Sequence, residues 1–328
     1  MKIAIFTNTY YPHVGGVANS VGSLVENMRE RGHRCLVVAP DFPDQPESEE
    51  DVIRVPSIKN FNGSDFSFRL PSGTMIGDRI KAFQPDVIHS HHPFLLGDAG
   101  LRMAHQWNVP LIFTHHTRYE DYVHYLVDDS ELLERLAIEL ATEYGNLCDR
   151  IIAPSESIED LIRERGVKVP VTVIPTGIDK DQFGNGDGAR SRKRYGIDEN
   201  RFVIGHVGRL APEKNLKFLF KAVFPFMRDN PDTAFMVVGK GDAYEDLKKM
   251  ADAEDFRDRI HFIGKLTRQD LVDAYHAMDL FVFTSKSETQ GMVLAEAMAA
   301  GKPTLALDAS GVREIVRDGK NGRLLDGD

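Results

Sequence analysis

The sequence predicts an α/β protein made of two doubly wound parallel sheets, and three observations carry that prediction. Short apolar runs dominated by Val, Ile, Leu and Phe alternate with longer stretches of helical spacing. Runs with so little polar alternation suit strands buried on both faces, and strand–helix–strand repetition calls for parallel sheets covered on both sides. The series then occurs a second time. Finally, 328 residues exceed the size at which a single core stops growing.

The elements follow in order. The first series of strands is "KIAIFT", "CLVVAP", "VIRVPS", "DVIHSH", "PLIFTHH" and "RIIAPS". Between the first two lies "VANSVGSLVENMRERGH", whose apolar residues recur at helical intervals and which closes near Gly32. The second series is "VTVIPT", "FVIGHVGR", "TAFMVVG", "IHFIGK", "LFVFTS" and "PTLALD". The domain boundary is placed near Val169–Pro170, after the helix "SIEDLIRERGV", giving domains 1–170 and 171–328. The polar, glycine-rich "DKDQFGNGDGARSRKRYG" is expected to be an exposed loop of the second domain. "GRLLDGD" reads as a final strand with no helix after it, so the second domain is expected to be cut short.

Composition narrows the function classes. The net charge of −10 is uneven: residues 1–170 carry 16 Lys/Arg against 25 Asp/Glu, or −9, and the other 24 against 25 give −1. An acidic first half is a poor match to nucleic acid or to anionic headgroups. Only Cys35 and Cys148 are present, which argues against a disulfide framework and fits a reducing cytoplasm. No run reaches the ~18 apolar residues of a membrane span, and "KIAIFT" begins at once, unlike a signal peptide.

Ligands of doubly wound sheets gather at the carboxyl ends of strands, so two such sheets make an interdomain cleft the leading site. In "LFVFTSKSETQGMVLAEAMAAGKP" a strand leads through a polar turn into a helix that stops at Gly301 and Pro303. Amides around Gly291 would be donors at a helix N-terminus, and Gly291 would let a ligand approach the backbone. Ser285-x-x-Glu288 also fits a capping box, with Glu296 merely solvated. In "GHVGRLAPEKN", Arg209 leaves a strand end and Lys214 follows in a proline-containing loop. A guanidinium fork and an ammonium point charge suit a diphosphate. Gly15-Gly16 opens the first helix, but without the G-x-G-x-x-G spacing of a dinucleotide site. His89, His91, His92, His115 and His116 follow two strands. They could ligate a metal, with Glu120 and Asp121 as nearby carboxylates, although no H-e-x-x-H pattern or Cys pair supports this. The milder reading has them line the cleft, with His116 touching a substrate.

Together these segments resemble the retaining GT-B glycosyltransferases that include bacterial diacylglycerol glucosyltransferases and lipid mannosyltransferases. The resemblance rests on "GGVANSVGSLVENMRERGHRCLVVAP", "DVIHSHHP", "VIPTGID", "GHVGRLAPEKN", "VVGKGD" and Glu288-x7-Glu296, in the family's order. It implies two Rossmann-like domains, the first serving the acceptor and the second holding a nucleoside diphosphate sugar. Arg209 and Lys214 would neutralise the diphosphate, and Glu296 would accept from the ribose hydroxyls. Glu288, with amides near Gln290, Gly291 and Met292, would hold the transferred sugar, and Val293 would pack on the nucleotide. His116 would lie by the reacting carbon and Gly16 would contact phosphate and acceptor. The implied chemistry is metal-independent and needs no cofactor: cations and amide dipoles meet the growing charge of the leaving diphosphate. No carboxylate stands out as a nucleophile, unlike the paired acids of retaining glycosidases. "THHTRYEDYVHYL" is similar to the acceptor-side segment of diacylglycerol glucosyltransferases, which implies UDP-glucose as donor and a lipid acceptor. GDP-mannose is the next candidate donor. The implied location is cytoplasmic, at the inner face of the membrane when the acceptor is a lipid. A nucleotide-sugar epimerase of the same architecture and a non-catalytic nucleotide-sugar-binding fragment are the competing readings.

Overall fold

The computed structural model describes residues 1–13, 15–42, 44–47, 49–58, 68–69, 73–125 and 130–327. The last residue of the acceptor-side segment, Leu126, lies outside them. The chain divides into two compact units, Met1–Thr176 and Gly177–Asp328.

The first unit runs β1 (Lys2–Phe6), α1 (Gly16–Glu30), β2 (Arg34–Pro40), β3 (Val52–Val55), β4 (Ser57–Ile58), β5 (Phe68–Arg69), α2 (Gly73–Phe83) and β6 (Val87–Ser90). It continues with α3 (Leu96–Trp107), β7 (Leu111–Thr114), α4 (Glu131–Asn146), β8 (Arg150–Ala153), α5 (Glu156–Glu164) and β9 (Val171–Val173). Seven strands form one parallel sheet in the order β3-β2-β1-β6-β7-β8-β9. Successive residues of a strand serve opposite cores. Ala4 and Phe6 of β1, with Leu36 and Val38 of β2, join one cluster, while Ile5, Val37 and Ala39 join another. That two-sided burial is why the strands are apolar without alternation. Helix starts follow local chemistry: the Ser155 hydroxyl accepts from the Ile158 amide at 3.3 Å to cap α5.

The second unit comprises α6 (Lys180–Gly184), α7 (Gly188–Arg194), β10 (Phe202–Val207), α8 (Leu216–Asp229), β11 (Thr233–Val238), α9 (Tyr244–Ala253) and β12 (Ile260–Gly264). Next come α10 (Arg268–Ala277), β13 (Leu280–Phe283), α11 (Met292–Ala299), β14 (Thr304–Leu307) and β15 (Arg323–Leu325). Its six-stranded sheet has the order β12-β11-β10-β13-β14-β15, again with parallel pairing. Ala234, Met236 and Val238 of β11 face one core, and Phe235 and Val237 face the other.

Two expectations need correction. The boundary after Pro170 falls one strand early, because Val171–Val173 closes the first sheet beside β8, in register Ile151↔Val171. The Ser20 and Thr176 hydroxyls, 2.8 Å apart, then tie the end of the unit back to α1. Periodicity shows that "VTVIPT" is a strand but not which sheet offers it an edge. The stretch expected to be a loop, Asp179–Gly196, contains α6 and α7. Each begins at an aspartate cap: Asp179 accepts from the Asp181 and Gln182 amides, and Asp187 from the Arg190 amide at 2.9 Å. Phe183 and the buried Asp273 then anchor the pair to α10, as Asp273 accepts from the Asp187 amide at 2.9 Å.

Candidate active site

A doubly wound sheet offers a crevice where strand order reverses, because the helices after the two neighbouring strands leave to opposite faces. In the second unit the reversal lies between β10 and β13. The loop after β10 carries Arg209 and Lys214, and the loop after β13 carries Glu288. Lys214 Nζ donates to Glu288 Oε1 at 2.6 Å, and these side chains are 15% and 17% exposed. The loops are also stitched by polar contacts. Asn215 Nδ2 donates to the Thr284 carbonyl at 3.3 Å, and the Thr284 hydroxyl donates to the Lys214 and Asn215 carbonyls. The Ser287 hydroxyl donates to the Glu213 carbonyl at 3.3 Å. Arg209 forms an ion pair with Glu213 inside its own loop.

The positive potential expected from Arg209 and Lys214 is therefore met by two carboxylates. An anion entering here has to compete with Glu213 and Glu288. Burial pushes the Glu288 carboxyl up, but the Lys214 ammonium and the Ser285 hydroxyl outweigh it and hold the group below its ordinary value. Glu296, on α11, behaves oppositely: burial raises it, and a hydrogen bond from Tyr275 offsets only part of the rise.

The capping-box alternative fails. Helix α11 starts at Met292 with Gly291 as its N-cap, and no side chain caps it, so Ser285 and Glu288 precede the helix rather than close it. Gly291 sits at φ +61, and a Cβ there would fall 2.9 Å from Leu294 Cδ1. Gln290 is buried, and Met292 and Val293 form the first turn beside it. The sequence reading missed Gly311, whose φ is +72. A Cβ there would come within 2.5 Å of the Glu288 carbonyl oxygen, so a second loop is pressed against the Glu288–Gln290 turn. It also missed His206, fully buried in β10. Its Nδ1–H donates to the Val282 carbonyl at 3.2 Å, and burial lowers it to about 4. A histidine inside an otherwise apolar strand was the available signal.

The first unit has its reversal between β1 and β6. Gly16 opens α1 after an extended Gly15 (φ −173). His89 lies within β6 rather than after it, and its ring meets that of His91, which in turn meets His116 from beyond β7. His91 Nδ1 and His116 Nε2 are 2.8 Å apart, His89 Nε2 lies 2.7 Å from the Thr114 hydroxyl, and the Asn8 amide donates to His92 Nδ1 at 3.1 Å. Burial lowers His89, His92 and His115 to about 4, and burial together with the neighbouring imidazoles holds His91 and His116 well below their ordinary value, so the cluster is uncharged at neutral pH. Glu120 bonds Arg165 at 2.6 Å instead of serving the imidazoles. Among the described residues no three His, Cys, Asp or Glu are grouped to hold a metal ion. The predicted residues thus fall into two sets. Arg209, Lys214, Glu288, Gln290, Gly291, Met292, Val293 and Glu296 belong to the second unit, and Gly16 and His116 to the first.

Comparison with known proteins agrees with both halves. Residues 14–182 match the model described as Glycosyltransferase Family 4, and residues 187–328 match that of Glycosyl transferases group 1. The chain is 30% identical to the alpha-monoglucosyldiacylglycerol synthase of Streptococcus pneumoniae, over 100% of this chain and 76% of that one. It is also 30% identical to a GDP-mannose-dependent alpha-mannosyltransferase of Corynebacterium glutamicum, over 99% and 77%. Its fold matches the crystal structure of Anabaena Alr3699/HepE in complex with UDP and glucose, at a TM-score of 0.78 and 22% identity over 99% of this chain and 86% of the other. The twin parallel sheets, the loops at their carboxyl ends and these similarities over both units place the chain among the Family 4 glycosyltransferases of GT-B fold.

Proposed function

We propose that this glycosyltransferase moves a glucosyl group from UDP-glucose to a diacylglycerol hydroxyl, with retention and without a divalent ion. The observation that carries the reading is the Lys214–Glu288 pair, 2.6 Å apart at the reversal point of the second sheet with Arg209 in the same loop. In the proposed reaction the bond between the sugar's anomeric carbon and the diphosphate oxygen breaks. A bond from the acceptor oxygen forms on the same face, and the acceptor proton passes to the leaving phosphate. Arg209 and Lys214 turn from Glu213 and Glu288 toward the diphosphate as its charge grows. Glu288, released from Lys214, accepts from sugar hydroxyls, while the amides of Gln290, Gly291 and Met292 face the same group. Val293 packs on the nucleotide, and Glu296 accepts from the ribose. His116 serves as a neutral hydrogen-bonding group for the sugar, and Gly16 offers the amide end of α1 to phosphate or acceptor.

The Streptococcus pneumoniae relative's name supports the glucosyl and diacylglycerol assignments. The Corynebacterium glutamicum relative, at the same identity, supports a second reading in which GDP-mannose is the donor. No helix of the described residues is long and apolar enough to cross a membrane, so a lipid acceptor is proposed to be reached from a membrane face. The test is transfer from UDP-glucose or GDP-mannose to diacylglycerol in vesicles, with and without EDTA, with the anomeric configuration read by NMR. An α-linked glucolipid formed equally in EDTA is expected. Transfer from neither donor, or an absolute need for a metal ion, would overturn the proposal. An altered sugar nucleotide formed without acceptor would identify an epimerase.

A further inference from the structure

We propose that Tyr275, on α10, is a positioning residue for the donor: its hydroxyl holds the Glu296 carboxylate in the orientation that receives the ribose. This rests on the reading of Glu296 given above. Tyr275 OH donates to Glu296 Oε2 at 2.6 Å, so the bond engages one carboxylate oxygen and leaves Oε1 for the nucleotide. Tyr275 is completely buried, the largest side chain among the described residues to be so. Its ring meets Phe183 of α6 edge-on with centroids 5.8 Å apart, and Phe281 of β13 also at 5.8 Å. A phenol wedged in this way has little rotational freedom, and its hydroxyl sits at a set position beneath α11. The glutamate needs such a support. Its helix, Met292–Ala299, carries no other charged residue, and burial raises its carboxyl. A hydrogen bond from a neutral donor keeps the anion available where a cation would compete with the ribose for it. Burial also raises the Tyr275 phenol well above its ordinary value, so it remains a donor across the working pH range. The two short helices α6 and α7, unforeseen from the sequence, thus serve the site indirectly: α6 supplies Phe183, which flanks the tyrosine ring.

The test compares wild type and Tyr275→Phe, which keeps the ring and its packing, in binding UDP or GDP and the corresponding 2′,3′-dideoxynucleoside diphosphate. Wild type is expected to prefer the ribonucleotide. Tyr275→Phe is expected to weaken ribonucleotide binding by about tenfold, the size of one hydrogen bond to a charged group, and to leave dideoxynucleotide binding nearly unchanged. The remaining ribonucleotide affinity is expected to fall at a higher pH than in wild type as Glu296 protonates. Equal losses with both ligands would mean a merely structural tyrosine and would overturn the inference. A wild type indifferent to the ribose hydroxyls, or one that binds neither UDP nor GDP, would instead overturn the role given to Glu296, and the inference with it. If Tyr275→Phe does not fold, Phe183→Leu loosens the ring and keeps the hydroxyl. A smaller loss confined to the ribonucleotide supports the inference, and an equal loss on both refutes it.

Discussion

Glu288→Gln should separate the two duties assigned to that residue, with opposite signs. The carboxylate accepts from Lys214 Nζ at 2.6 Å. At an effective dielectric of about 20 the gross attraction over that distance is about 6 kcal/mol. Most of it is offset by desolvation, and a hydrogen bond between charged groups nets about 1.5–3 kcal/mol. In the proposed reaction a nucleoside diphosphate draws Lys214 away from this partner. Glutamine is nearly isosteric and uncharged, so it lowers that cost, and a relief of about 1.4 kcal/mol is a tenfold gain in affinity. Calorimetry should therefore find UDP or GDP, whichever the protein binds, held about tenfold more tightly by Glu288→Gln. Turnover should nonetheless fall about a hundredfold or more through the lost contacts to the transferred sugar. Lys214→Met should weaken both. If Glu288→Gln weakens diphosphate binding as much as Lys214→Met does, the carboxylate is not competing for the ammonium and the reasoning is wrong.

Other consequences follow from the same geometry. Burial holds His89, His92, His115 and His206 to about 4, so the unfolded chain takes up protons below pH 6.5 that the folded chain does not. Each of these groups gives stability that is complete above about 6.5 and lost at about 1.4 kcal/mol per pH unit as pH falls toward 4. Thermal melts from pH 7.5 to 4.5 should show a steep decline that His89→Asn makes shallower. Gly311→Ala should cost about 1–3 kcal/mol from the left-handed backbone alone and should also displace the Glu288 turn, whose carbonyl oxygen lies 2.5 Å from the added carbon. Melting temperature and turnover should fall together. Asp273→Ala should destabilise the second unit by about 2–4 kcal/mol, because the buried carboxylate accepts from the Asp187 amide, Gln269 and Arg190 at once. Denaturant unfolding should register that loss even without nucleotide.

Much of this molecule can be read directly from its amino acids, for a local reason. Apolar runs name the strands because each strand residue faces one of two cores, and Gly32 and Gly301 mark helix ends because left-handed backbone favours glycine. Arg209, Lys214, Glu288 and Glu296 stand out because a strand exit followed by a helix start is itself a short-range pattern. Three things were settled only when distant segments met. Val171–Val173 joined the first sheet because β8 offered it an open edge. Lys214 and Glu288, 74 positions apart, became one ion pair that changes what each can offer a ligand. Tyr275 and Gly311 came to bear on the glutamates through packing, Tyr275 beneath Glu296 and Gly311 against the Glu288 turn. Propensity and periodicity act over a few residues, whereas burial, pairing and proton affinity depend on whichever groups the folded chain brings within a few ångströms.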